Sequence, residues 1–260
     1  MFLHANVIGE GKPLIVLHGF LGSGDNWKTF AKKWSQSGRS VHLLDARNHG
    51  KSFHSDQWDY PTMAADVIAY ADHNRIDQFD ILGHSMGGKT AMFLATTYPE
   101  RVQKALIADI APKSYPHQHT EILDALYELD QQHFEHRKEA EDFLEPRFES
   151  LQLRYFLLKN LERTADNVLR IRCNISRFRE DQSTVTKGLE PEMRSELDIL
   201  FIRGLGSGYI SDQDLPLIAH HFPNYQMVSI ADAGHWLHAE QPEAFDAAVS
   251  RFFDLWAAAK

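Results

Sequence analysis

Cysteine is almost missing from this chain of 260 residues: Cys173 stands alone. No internal disulfide can form, and no thiolate zinc cluster can be assembled. Long apolar runs are missing as well, because no stretch approaches the roughly 20 consecutive apolar residues of a membrane-spanning helix. The first residues, Met1-Phe2-Leu3-His4-Ala5-Asn6, reach Gly9-Glu10-Gly11-Lys12 before the apolar core of a secretory signal develops. Basic residues are in deficit. With 27 Lys and Arg against 36 Asp and Glu the formal charge is −9, which repels phosphate backbones and argues against nucleic acid as a partner. A reducing, cytoplasmic setting is expected. What remains, 43% hydrophobic and 24% charged residues, describes an ordinary soluble chain forming one large domain or a domain with an insertion.

Short apolar runs alternate with longer helical stretches through the first 110 or so residues, the pattern of a mostly parallel sheet flanked by helices. Leu14–Leu17, Val41–Leu44, Phe79–Leu82 and Ala105–Ala108 are too short for buried helices, and each ends at Gly, His or Asp. Between them, Tyr60–Asn74 has Pro61 at an early helical position, and Met63, Val67, Ile68 and Ala71 recur at helical spacing. Leu197–Ile202 and Met227–Ile230 read as two later strands, followed by a helix from Pro242 to about Ala257. The middle breaks this rhythm with helical patterns and one weak strand near Val168–Ile171. The division expected is therefore a core of residues 1–111 and 191–260 carrying a helical cap at 112–190. The cap's charge is uneven. Residues 115–150 hold three basic and ten acidic side chains, whereas 151–180 hold seven basic and three acidic.

The strongest chemical signal is Gly83-His84-Ser85-Met86-Gly87, a G-x-S-x-G between a strand and a helix. A sharp turn there lifts the serine hydroxyl above the sheet, and the helix that follows aims free N–H groups at a developing oxyanion. Serine is a weak nucleophile until a base takes its proton. His235, in Ala233-Gly234-His235-Trp236 after the last strand, lies where functional loops of open α/β sheets gather. A second oxyanion donor is expected from His18-Gly19-Phe20-Leu21-Gly22, which makes the backbone amides of Phe20 and Met86 the pair. The other histidines, among them His117 and His119, His133 and His136, and the pair His220-His221, lack a completing ligand and read as surface or packing residues. No metal or organic cofactor is implied.

These stretches, with Asp45-Ala46-Arg47-Asn48-His49-Gly50-Lys51-Ser52 and Asp109-Ile110-Ala111-Pro112, resemble the α/β-hydrolase superfamily across essentially the whole chain. The resemblance is strongest to its small capped serine esterases and thioesterases. It implies a structural role for Asp45 and Arg47 and a triad of serine, histidine and a carboxylate. The acid of most members sits after the strand matching Leu197–Ile202, but here that loop reads Arg203-Gly204-Leu205-Gly206-Ser207-Gly208-Tyr209. Asp109, ending the neighbouring strand, is the favoured acid, with Ser207 as an additional hydrogen-bond partner. Asp212 or Asp214 is the alternative, although both open a helix, where capping explains them.

The cap would exclude water from an acyl-enzyme and shape its pocket. Phe134, Phe143, Phe148, Tyr155, Phe156, Leu157 and Leu158 are candidates for lining it, with Trp236 beside the base. The arginines of residues 151–180 would attract an anionic leaving group such as coenzyme A. The function expected is serine-dependent hydrolysis of a small-molecule carboxylic ester or thioester. A carbon–carbon bond hydrolase or cofactor-free lyase of the same superfamily is the enzymatic alternative, and a hydrolase-like binding protein the non-catalytic one. The oligomeric state is open.

Overall fold

The computed structural model describes residues 1–117 and 119–254. Among them, β1 (Ala5–Ile8), β2 (Lys12–Leu17), β3 (Arg39–Leu44), β4 (Phe79–His84) and β5 (Val102–Ala108) open the chain. A hairpin of β6 (Leu161–Arg163) and β7 (Leu169–Ile171) follows, then β8 (Ile199–Gly204) and β9 (Tyr225–Ile230). The main sheet runs β1-β3-β2-β4-β5-β8-β9, with β1 antiparallel to β3 and every other pairing parallel. This is an α/β-hydrolase fold.

Helices cover both faces of the sheet: α1 (Lys28–Trp34), α2 (Tyr60–His73) and α3 (Met86–Thr97) among the early strands, and α4 (Thr120–Asp130), α5 (Arg137–Leu144) and α6 (Leu151–Leu158) after β5. The remaining helices are α7 (Ile175–Glu180), α8 (Ser183–Thr186), α9 (Leu215–His221), α10 (Leu237–Glu240) and α11 (Pro242–Asp254). Successive strand residues point to opposite faces. Thus Ile15, Ile81, Ile107 and Phe201 pack into one core with α2 and α3, while Leu14, Val16, Leu106 and Leu200 pack into another with Trp34, Phe245 and Val249. Double coverage is why the central strands read as continuous apolar runs. Among the described residues no helix is long and apolar enough to cross a membrane.

β2, β3, β5 and β9 begin two or three residues earlier than expected, and three further elements differ. β1 is a half-exposed edge strand without a strong apolar pattern, fixed by its ladder to β3 from Ala5↔Leu44 to Ile8↔Val41. β8 starts at Ile199, two residues later than expected, because its ladders to β5 and β9 begin at Ala105↔Ile199 and Ile199↔Tyr225, and it runs on to Gly204. The weak strand at Val168–Ile171 belongs to a hairpin whose other arm, Leu161-Glu162-Arg163, has no apolar run, and Asn167 takes the left-handed turn position at φ 64°. The end of the last helix expected near Ala257 lies outside the described residues.

Between β5 and β8 the chain leaves the sheet and returns through one narrow neck. Leu189 N–H donates to Pro112 O at 2.8 Å and Tyr115 N–H to Thr186 O at 2.8 Å. Side chains of α4 and α6 from this segment share a cavity of about 830 Å³ with loops at the carboxyl ends of the strands.

Candidate active site

Ser85 sits between β4 and α3 at φ 53°, ψ −116°, a conformation that costs a side-chain-bearing residue on the order of 1–3 kcal/mol. Its surroundings enforce that geometry. Ser85 N–H donates to Ala108 O at 3.0 Å, and a Cβ on Gly87 would stand 2.4 Å from Leu17 O, so only glycine lets α3 pack this tightly against β2. Met86 opens α3, where a backbone N–H has no partner in a preceding turn. Gly19 presses against the same place, since a Cβ there would lie 2.8 Å from His84 Nδ1 and 3.3 Å from Ser85 Cβ. The amide of Phe20 follows immediately. Its loop is held by two buried histidines: His18 Nε2 accepts from Ala46 N–H at 3.0 Å, and His49 Nε2 from Leu21 N–H at 3.3 Å.

Asp109 follows β5 at φ 50°, fully buried, with its N–H donating to Ile202 O at 2.8 Å. Its Oδ1 accepts from Gly204 N–H at 3.1 Å. Its Oδ2 accepts from Ser207 Oγ at 2.5 Å and lies 2.8 Å from His235 Nδ1. The His235 ring stacks on Tyr209 at 3.9 Å and 14°. Thus Asp109, Ser207 and His235 come together, and Asp212 and Asp214 do not join them. Asp212 pairs with Arg203 at 2.7 Å, while Asp214 accepts from Lys113 and from the N–H and hydroxyl of Ser211. Asp45 caps backbone amides of Gly24 and Lys51, and Arg47 pairs with Asp66, consistent with structural roles.

Three more histidines surround the site. Burial, reinforced by His235 and His238, holds His84 well below the ordinary imidazole range, so it is neutral at physiological pH. Its bond to His235 O at 2.8 Å then requires the proton on Nε2, which makes His84 a donor that fixes the backbone of His235. Burial likewise lowers His238 to about 3 and His119 to about 4. Both line the cavity as uncharged rings, with His238 stacked on Trp27 at 4.1 Å. His220 and His221 bond to the carbonyls of Pro191 and Met193 instead of facing a shared ligand site. Among the described residues no three His, Cys, Asp or Glu side chains are grouped as metal ligands would be.

Of the expected lining residues, Tyr155, Phe156, Leu157 and Trp236 border the cavity with Ser85, His235 and Phe20. Phe134, Phe143, Phe148 and Leu158 instead pack the segment against itself and the core. The six arginines of residues 151–180 are engaged, while Lys159 borders the cavity. Arg172, Arg177 and Arg179 pair with carboxylates, whereas Arg154, Arg163 and Arg170 donate to backbone carbonyls. Tyr209, His84 and His238 carry no role of their own in the sequence reading, and His119 reads there as a surface or packing residue. Tyr209 closes the Gly-rich loop, and His84 fills the x of G-x-S-x-G, so position relative to known motifs is the signal that marks them.

Residues 12–151 match the family model of the alpha/beta hydrolase fold. The chain is similar to the sn-1-specific diacylglycerol lipase ABHD11 of Xenopus laevis, 35% identical over 94% of this chain and 80% of the relative. It is also similar to the esterase YbfF of Escherichia coli, 32% identical over 94% of both chains. A solved marine microorganism esterase superposes with a TM-score of 0.94 at 39% identity, covering 97% of this chain and 99% of that one.

Proposed function

The chain belongs to the α/β-hydrolase family, and on that premise we propose that it hydrolyses carboxylic esters through an acyl-enzyme on Ser85. One observation carries the reading: the cavity that Ser85 lines also receives His235, whose Nδ1 lies 2.8 Å from the buried carboxylate of Asp109. The esterase and lipase names of the relatives support the same chemistry.

Asp109 fixes His235 with its proton on Nδ1, which leaves Nε2 as the base. Nε2 takes the hydroxyl proton of Ser85 as Oγ bonds to the ester carbonyl carbon. The carbonyl oxygen becomes an oxyanion held by the amides of Phe20 and Met86, each such donor being worth roughly 100- to 1000-fold in rate. The bond to the alcohol oxygen then breaks, and that oxygen leaves with the proton from His235. Water repeats the sequence on the acyl-enzyme and releases the acid. The segment 112–190 acts as a cap, with Tyr155, Phe156 and Trp236 contacting the substrate. Thioesters are open to the same attack. The cap arginines are already engaged, which leaves Lys159 as the basic cap residue among those lining the cavity.

Fluorophosphonate labelling combined with p-nitrophenyl esters of increasing acyl length tests this. Wild type is expected to be labelled and active, while folded Ser85→Ala is neither. Absence of both from folded wild type would overturn the assignment.

A further inference from the structure

Lys89 is fully buried on α3, one helical turn after Ser85, and its N–H donates to Ser85 O at 3.0 Å. A buried ammonium is costly unless its donors are satisfied. Here Nζ donates to Lys113 O at 2.5 Å and to Lys187 O at 2.6 Å. Those carbonyls lie on the two crossings of the neck, one leaving the sheet and one returning. The same neck holds Tyr115, whose hydroxyl accepts from Ala111 N–H and donates to Tyr209 O at 2.6 Å, and Tyr209 is the ring stacked on His235. One side chain therefore joins the nucleophile's helix to both attachments of the cap, beside the ring that supports the base.

We propose that Lys89 is a positioning residue whose side-chain amine pins both crossings of the 112–190 segment to the nucleophile helix through Nζ and so sets how firmly the cap closes over Ser85. The consequence for ester turnover rests on the reading above; the pinning does not. The groups facing Lys89 are Tyr60 from α2, Tyr115 and Lys113 from the neck, and Asp214 beyond Lys113. Burial, with a smaller contribution from Lys113, lowers Lys89 to about 7. Burial pushes both tyrosines up. For Asp214 burial acts upward, but Lys113 and Ser211 outweigh it and hold the carboxyl below its usual range. Opening the neck returns Lys89 to water and to its ordinary value of 10.5, so above about pH 7 each opening takes up a proton.

Hydrogen exchange of the Tyr115 and Leu189 amides between pH 6.5 and 8.5 is the test, with each rate divided by its intrinsic rate. In wild type, protection is expected to rise with pH, approaching tenfold per unit at the upper end. In Lys89→Met it is expected to be at least tenfold lower at pH 8 and flat with pH. The KM of that variant for p-nitrophenyl octanoate is expected to rise about tenfold more than its KM for the acetate. Protection in Lys89→Met that matches wild type at pH 8 overturns the pinning. A uniform loss of kcat for both esters with KM unchanged overturns the positioning role. If Lys89→Met does not fold, Lys89→Gln takes its place in the same comparison. If wild type cleaves no ester, lowered protection in the Lys89 variant still upholds the pinning while the esterase reading falls.

Discussion

His235 Nδ1 lies 2.8 Å from Asp109 Oδ2, although 126 positions separate the two residues. The carboxylate is delivered from the end of β5 and not from β8, whose loop contributes Ser207 to the same oxygen. Asp109→Asn is expected to lower kcat by up to about 10⁴, the loss typical when the orienting carboxylate is removed. Ser207→Ala removes one hydroxyl donor while His235 and Gly204 still engage the carboxylate. Its expected effect is smaller, on the order of tenfold. Steady-state kinetics on folded variants checks both, and a fully active Asp109→Asn would remove Asp109 from the mechanism.

The strain at Ser85 has a thermodynamic signature. Glycine accepts φ 53° without penalty, whereas alanine does not. Ser85→Gly should therefore be inactive yet more stable than wild type by about 1 kcal/mol. Ser85→Ala should be inactive without that gain. Urea midpoints at constant slope measure the difference, and equal stabilities for the two variants would refute the strain.

Acid should destabilise this protein before its carboxylates titrate. His18, His49, His84, His119 and His238 all lie below the unfolded value of 6.5, chiefly through burial, with His119 at about 4 and His238 at about 3. The unfolded chain binds protons near pH 6.5 that the folded chain refuses, so stability is lost as pH falls from about 6.5 through the folded values. Lowering the pH from 7.5 to 5.0 is expected to cost up to about 2 kcal/mol for each histidine that stays neutral. Denaturant midpoints report it, and a midpoint unchanged or higher at pH 5.0 would contradict the burial of these rings.

Phe156 and Phe134 separate substrate recognition from packing. Phe156 borders the cavity beside Trp236, with ring centroids 5.4 Å apart, whereas Phe134 packs on Phe143. Phe156→Ala should raise KM for long-chain esters about tenfold, the scale of one lost apolar contact. Phe134→Ala should lower the melting temperature and leave the chain-length profile alone. An unchanged profile in Phe156→Ala would detach that ring from the acyl site.

The parallel strands were legible because burial on both faces writes an uninterrupted apolar run such as Leu14–Leu17. Ser85 stood out because its turn packs Gly87 too closely on β2 for a side chain, and His235 because its loop follows a strand. β1 and β6 were not, since an edge strand and a surface hairpin bury too little to require a pattern. Lys89 was hidden for another reason: a lysine on a helix reads as solvated, and only the folded neck supplies the carbonyls that make its burial tolerable. The engagement of the cap arginines was equally invisible, because net charge counts side chains and not their partners.

The order of strands in the sheet also governs when the chain becomes reactive. Ser85 follows β4 and Asp109 follows β5, but the imidazole that would activate the serine arrives only after β9 has docked beside β8. During synthesis the turn that carries Ser85 therefore emerges before His235, and a chain stopped short of β9 lacks the imidazole that the proposed mechanism requires. On that mechanism, ester turnover during refolding cannot precede the docking of that outer strand against β8.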